Sequence, residues 1–205
     1  MATTEVTKYA TAVSGAGWTN FTVARLNADD ASYATFTAPT PSGTNYSSVS
    51  DFDFAVPDGA TIVSLKVEGD FSGGLGKFTM TLQPQANGAS RCNPASSTGG
   101  GVFSTTSTWA LPTVAELNAA TFGVLATTTY AYNSAGVTVT LDYVRLTVVY
   151  LVPPTLTTAA ASAITGTTAS GGGNVTDDGD GTVSEKGVCW NTSGSPTTAD
   201  DHTVD

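Results

Sequence analysis

Residues 137–151 read Val-Thr-Val-Thr-Leu-Asp-Tyr-Val-Arg-Leu-Thr-Val-Val-Tyr-Leu. β-Branched and aromatic side chains dominate this stretch, and they pack well on a pleated, half-buried surface. Val137, Val139, Leu141 and Tyr143 share one parity, whereas Leu146, Val148 and Tyr150 share the other. A period of two marks a strand, and the change of parity between Tyr143 and Leu146 marks either a bulge or a strand covered on both faces. The fold class follows from this stretch, because the same rhythm recurs upstream.

Working back along the chain, 122–132 reads as the partner strand, and Asn133-Ser-Ala-Gly136 as the hairpin turn that joins the two. Residues 77–83 alternate Phe78, Met80 and Leu82 with Thr79 and Thr81. Residues 61–71 carry Ile62, Leu65 and Val67 and end at the Gly73-Gly74 turn. In 51–56, Phe52 and Phe54 alternate with Asp51 and Asp53, which reads as another strand running into a Pro57-Asp58-Gly59 turn. Residues 33–38 are Thr- and aromatic-rich and stop at Pro39. The stretch 84–101 reads as a loop, and 102–111 as a strand carrying Phe103 and Trp109.

One short helix is expected over 113–119. Thr113 and Glu116 stand at capping-box spacing, so the hydroxyl can accept the Glu116 amide while the carboxylate reaches back to the Thr113 amide. Leu117 should pack inward. Longer helices are not expected, because charged residues make up only 12% of the 205-residue chain and a wet helix face needs them.

Pro153-Pro154 cannot continue a central strand ladder, so the domains are drawn as 1–152 and 153–205. The second piece reads as three strands, 156–161, 167–176 and 182–190, separated by Gly and Asp turns. Three strands do not close a sandwich. The sheet would be completed by further polypeptide or by another chain. The fold class is therefore all-β: an antiparallel, jelly-roll-like sandwich with one short helix, followed by a partial immunoglobulin- or fibronectin-III-like domain.

Composition narrows the chemistry. Seven Lys plus Arg face seventeen Asp plus Glu, for a net charge of −10. Phosphate backbones are bound by clustered cations that release counterions, and no such cluster exists here; this argues against nucleic acid and anionic membranes as partners. The start, Met-Ala-Thr-Thr-Glu-Val, has neither a basic nor an apolar segment of the secretory kind, and no run approaches a membrane helix. Cys92 and Cys189 fall in different domains and read as separate thiols rather than a disulfide.

Reactive groups are sparse. The one histidine, His202, sits in a polar tail. Paired acids for glycoside hydrolysis could come from Asp51, Asp53, Glu68, Asp70 and Asp142, although Asp51/Asp53 and Glu68/Asp70 each share the parity of a solvated sheet face. A hard cation would use Asp177, Asp178 and Asp180, but the run lacks regular Asp-x-Asp-x-Asp spacing and reads as a hairpin turn. Gly171-Gly172-Gly173 lacks the lysine and helix of a phosphate loop. No cofactor is expected. Trp18, Tyr46, Tyr130 and Tyr132 are the candidates for stacking on a ligand such as a glycan, whereas Trp109 and Trp190 are expected in the core.

Two resemblances go beyond this reading. Gly17-Trp-Thr-Asn20, Asp29-Asp-Ala-Ser-Tyr-Ala34, Phe52-Asp-Phe-Ala-Val-Pro-Asp-Gly-Ala-Thr-Ile62, Phe122-Gly-Val124 and Leu141-Asp-Tyr-Val-Arg-Leu-Thr-Val-Val-Tyr150 resemble a β-sandwich module of tailed-bacteriophage structural proteins and large bacterial surface proteins. Thr155-Leu-Thr-Thr158, Ile164-Thr-Gly-Thr-Thr-Ala169, Gly171-Gly-Gly-Asn-Val175 and Glu185-Lys-Gly-Val-Cys-Trp190 are similar to part of a fibronectin-type-III-like repeat of phage virion proteins and bacterial adhesins. The resemblance implies a non-enzymatic virion subunit, whether head decoration, head fibre or tail-associated. Its expected partners are other virion proteins or copies of itself as a homo-oligomer, with a host-surface glycan as the alternative. Neither family carries a catalytic motif.

Overall fold

The computed structural model describes residues 3–98 and 100–204. It divides into a larger unit, Glu5–Tyr150, and a smaller one that joins the described residues before Glu5 to those from Leu151 onward.

In chain order the larger unit runs β1 (Thr4–Tyr9), β2 (Ala12–Gly15), β3 (Trp18–Thr19), α1 (Val23–Leu26), β4 (Ala34–Thr37), β5 (Gly43–Ser50), β6 (Thr61–Gly73), a 3-10 turn (Gly74–Gly76) and β7 (Phe78–Ala86). It continues with β8 (Ala89–Ser90), β9 (Ala95–Ser97), β10 (Val102–Ser107), α2 (Val114–Leu117), β11 (Gly123–Tyr130) and β12 (Thr138–Leu151). One six-stranded sheet has the order β10-β6-β12-β4-β3, with β1 also on β12; the other has the order β2-β5-β11-β7-β8, with β9 also on β7. The chain crosses between the sheets at nearly every connection. The core order β10-β6-β12-β4 over β9-β7-β11-β5 is that of a jelly roll, two Greek keys folded face to face.

Alternation decides what faces inward. Every second residue of β7, from Phe78 through Met80 and Leu82 to Ala86, is buried. Phe36 of the first sheet meets Phe78 (6.4 Å between ring centroids) and Tyr130 (5.5 Å) of the second. In β12 the buried residues are odd-numbered at Val139 and Leu141 and even-numbered from Val144 through Leu146, Val148 and Tyr150. Asp142 and Tyr143 between them both bond on the outer face, Asp142 to the Ala31 N–H and Tyr143 to Glu68. One extra residue that re-aims a side chain is a β-bulge.

Several sequence expectations need correction. Residues 51–56 form no strand. Asp51, Asp53 and Ala55 adopt left-handed φ of 59°, 47° and 51°, which breaks any ladder, yet Phe52, Phe54 and Val56 are still buried. The Asn118 amide brackets the segment: its Oδ1 accepts the Val56 N–H at 2.9 Å and its Nδ2 donates to the Val56 carbonyl at 2.8 Å. The 133–136 turn does not close a hairpin, since β11 and β12 lie in different sheets. The expected loop 84–101 contains the end of β7 and the short strands β8 and β9. The capping box at Thr113 and Glu116 forms, with the Glu116 N–H on Thr113 Oγ1 at 3.2 Å and the Thr113 N–H on Glu116 Oε2 at 2.8 Å. A second one-turn helix, α1, was not expected.

The smaller unit holds β13 (Thr155–Ser162) paired with β14 (Ser170–Asp177), and β15 (Cys189–Trp190) paired with β16 (Asp201–His202). Of the expected strand 182–190, only Cys189 and Trp190 pair. None of this unit's described residues from Leu151 onward is buried. Two-stranded pieces bury too little apolar surface to form a core of their own.

Candidate functional site

The two outer faces of the sandwich differ in charge, and the difference starts in the sequence. The first sheet carries Glu5, Lys8, Lys66, Glu68, Asp70, Asp142 and Arg145. No residue of β2, β5, β7, β8, β9 or β11 is charged.

On the charged face, Glu68 is 4% exposed and pairs with both Lys66 and Arg145 while accepting the Tyr143 hydroxyl at 3.1 Å. Arg145 also donates to the Tyr9 hydroxyl at 3.2 Å and stacks 4.9 Å over the Tyr143 ring. Burial disfavours the Glu68 carboxylate, but Lys66 and Arg145 outweigh it and hold the carboxyl below its ordinary range. Burial and the neighbouring Glu68 charge push the Tyr143 hydroxyl up. This is a buried carboxylate whose charge is answered by two cations and a hydroxyl.

Beside it lies the opposite case. Asp142 is 3% exposed, its Oδ2 takes the Ala31 N–H at 3.4 Å, and its Oδ1 has no partner. Burial raises its carboxyl; the Ala31 N–H opposes this, and the charges of Asp29, Asp70 and Asp30 add to it. Asp70 is raised in the same way, by burial and by Asp29. Of the acids proposed from sequence, the fold thus brings Asp70 and Asp142 near each other, with Asp29 and Asp30 added from the loop before β4. Asp51 and Asp53 lie on the left-handed segment and do not join them. Among the described residues, no three acids, thiols or imidazoles are placed to hold a metal ion.

This geometry makes a signed prediction. A carboxyl raised by the fold costs stability above its folded pKa, and that cost fades as pH falls toward the ordinary value of 3.8. Asp142→Asn removes the charge and turns an N–H toward an acceptor-rich surround. It should stabilise the chain by about 1–2 kcal/mol at pH 7, with the gain fading as pH falls toward about 4. Urea unfolding at the two pH values reads both effects. A variant less stable than the parent at pH 7 would show that the Asp142 charge is needed.

The uncharged face is laid out by register. Ser96, Thr81, Thr127 and Tyr46 form one row across β9, β7, β11 and β5. Thr79, Thr129 and Thr44 form the next, and Gln83, Leu125, Ser48 and Ser14 another. Thr81 and Ser96 share a hydroxyl hydrogen bond at 3.0 Å. The amide of Gln83 is used at one end, on the Arg91 and Cys92 carbonyls.

The aromatic candidates separate. Tyr130 is 7% exposed and belongs to the core, packed on Phe36 and Phe78. Trp18 is half-buried on Phe36 and Phe21, with its indole N–H on Asn45 Oδ1 at 3.1 Å. Tyr46 and Tyr132 are exposed, at 62% and 78%. Trp109 and Trp190, expected in the core, are exposed instead. Trp109 lies beyond the end of β10, and Trp190 sits in the unit whose described residues have no buried member.

The remaining candidates are structural. Asp177 caps its own turn by accepting the Gly179 N–H at 2.8 Å, and Asp180 accepts the Val152 N–H at 2.7 Å. Gly171–Gly173 lie in β14, opposite a register irregularity in β13. His202 is exposed. Cys92 and Cys189 are free thiols, and burial pushes the Cys92 thiol up to about 11.

No family model matches the chain, and no curated protein matches it. No helix among the described residues is long and apolar enough to cross a membrane.

Proposed function

We propose that this chain is a non-enzymatic structural subunit of a tailed-bacteriophage virion, acting by docking to other virion proteins or to copies of itself. The observation that carries the reading is the jelly-roll strand order of the larger unit, an architecture used by viral capsid and lectin domains. A fold alone hosts many jobs. The resemblance across 17–150, to tailed-bacteriophage structural proteins and large bacterial surface proteins, supports a virion role as a head-decoration, head-fibre or tail-associated subunit. Glu68, one of the acids considered for hydrolysis, is committed to two cations, which is in keeping with the reading.

The test is location. Mass spectrometry and immunogold labelling of purified particles should find the protein on the virion in a fixed copy ratio. Its absence from washed particles would overturn the proposal. A second reading, a host-surface glycan adhesin, draws on the exposed rings of Tyr46 and Tyr132. Glycan-array binding lost in Tyr46→Ala and Tyr132→Ala would favour it.

A further inference from the structure

We infer that the uncharged outer face of the β2-β5-β11-β7 sheet is a self-association surface, whose occupant is the same face of a second copy of this chain. The inference rests on the assembly reading above and gives it a partner and a surface.

The argument is one of charge. Each copy carries −10, so two copies repel wherever their acids approach. Like charges set against each other across an interface cost several kcal/mol, which suppresses wrong docking modes. The first sheet carries charges of both signs, Glu5, Lys8, Lys66, Glu68, Asp70, Asp142 and Arg145, so a second copy docking there would have to bring ionised groups together and desolvate them. The second sheet has no charge on any strand, so two copies can meet there without bringing ionised groups together. A solvated surface gains nothing from excluding all charge, and the usual device against unwanted stacking is to place lysine or glutamate on it. Here that device is missing from every strand of one sheet and present on the other.

The chemistry of the face suits its own copy. Threonine and serine hydroxyls both donate and accept, so rows of them can pair with identical rows about a two-fold axis. Tyr46, 62% exposed among small hydroxyl side chains, supplies the large amphipathic anchor that binding hot spots favour. Three strands of eight or nine residues and the four-residue β2, about 4.8 Å apart, present on the order of 500 Å² of projected sheet, at the low end of specific interfaces, so the dimer should be reversible.

The test is the oligomeric state of the full chain by sedimentation and light scattering. A dimer should form within about 1–200 µM, the range of weak specific interfaces. Raising salt from about 50 to 500 mM should strengthen it, because screening weakens repulsion between two anionic copies and no ion pair holds them together. Thr127→Glu, at the centre of the face, should weaken association by about 100-fold, whereas Thr106→Glu on the outer face of β10 should leave it unchanged. Mixing Thr127→Glu with Thr127→Lys should restore a heterodimer, which misfolded variants could not do. A parent chain monomeric at about 200 µM would overturn the inference. So would a dimer indifferent to both Thr127 variants, or one that salt dissolves. If the chain is found on particles yet stays monomeric, this inference fails and the virion reading stands. A dimer absent from particles gives the reverse.

Discussion

Arg145→Met is expected to destabilise the larger unit by about 2–3 kcal/mol at pH 7, at the lower edge of what breaking a buried ion pair costs. The substitution keeps most of the aliphatic volume and removes the guanidinium. Glu68, 4% exposed, is left with Lys66 and the Tyr143 hydroxyl. The Arg145 side chain is itself 30% exposed and Lys66 remains, so the loss falls short of an orphaned charge. The pH dependence gives the sign. The folded Glu68 pKa lies below its ordinary 4.5, so its stabilisation is present above that value and is lost as pH falls through the folded pKa. The gap between parent and Arg145→Met should therefore narrow from pH 7 toward about pH 3.5 in paired urea titrations. Arg145→Met with Glu68→Gln should recover at least half of the loss, because removing both partners leaves no buried charge unanswered. A gap that stays constant over this pH range would show that Arg145 contributes through packing on Tyr143 rather than through charge.

Glu68 and Asp142 share a sheet face but should respond to acid in opposite directions. Acid removes the stabilisation of Glu68 and relieves the cost of Asp142. The contrast has a local cause. β6 places Lys66 at i−2 from Glu68, on the same face, and the bulge in β12 brings Tyr143 over it. The bulge also points Asp142 toward Asp29 and Asp70, whose charges add to the cost of its own.

How much of this was legible in the sequence varied with the range of the interaction. The capping box was legible because Thr113 and Glu116 meet within one turn. The β7 alternation was legible because Phe78, Met80 and Leu82 leave no doubt about which parity is apolar. The parity break in β12 was legible as either a bulge or a strand covered on both faces, and only the burial pattern of the folded chain decides for the bulge. β11 was harder. Thr127, Thr128 and Thr129 suit either side of a sheet, so nothing local says that Thr128 and Tyr130 face inward; Tyr130 was therefore read as a ligand candidate. The jelly-roll order and the meeting of Asp142 with Asp29 and Asp70 depend on which distant strands pair, and short-range patterns do not carry that. The charge-free sheet is written in the residues of six strands, but it becomes a surface only once those strands are known to share a sheet.

The segment 51–56 is the sharpest case, because two different backbones give the same period of two. In a strand, alternate residues point to opposite faces because successive residues share extended dihedrals. Here left-handed residues recur at Asp51, Asp53 and Ala55, and Phe52, Phe54 and Val56 between them turn inward all the same. Phe52 and Phe54 stack with ring centroids 6.0 Å apart and planes 16° apart. Phe52 is 1% exposed, so Phe52→Ala should cost about 3–5 kcal/mol, the range for emptying a buried aromatic site. In a unit of this size that lowers the melting temperature by roughly 6–20 °C. This alone does not tell a strand from the left-handed path, since both bury the ring. Ala55→Gly does. In a strand, glycine loses backbone entropy and would destabilise by about 0.5–1 kcal/mol. At a φ of 51°, alanine bears a Cβ penalty that glycine lacks, so the same change should stabilise by up to about 1 kcal/mol. Asp53→Gly should gain less, because aspartate tolerates the left-handed region better than alanine. Thermal melts of the three variants settle the backbone: a loss of stability in Ala55→Gly would mean that 51–56 is an ordinary strand after all.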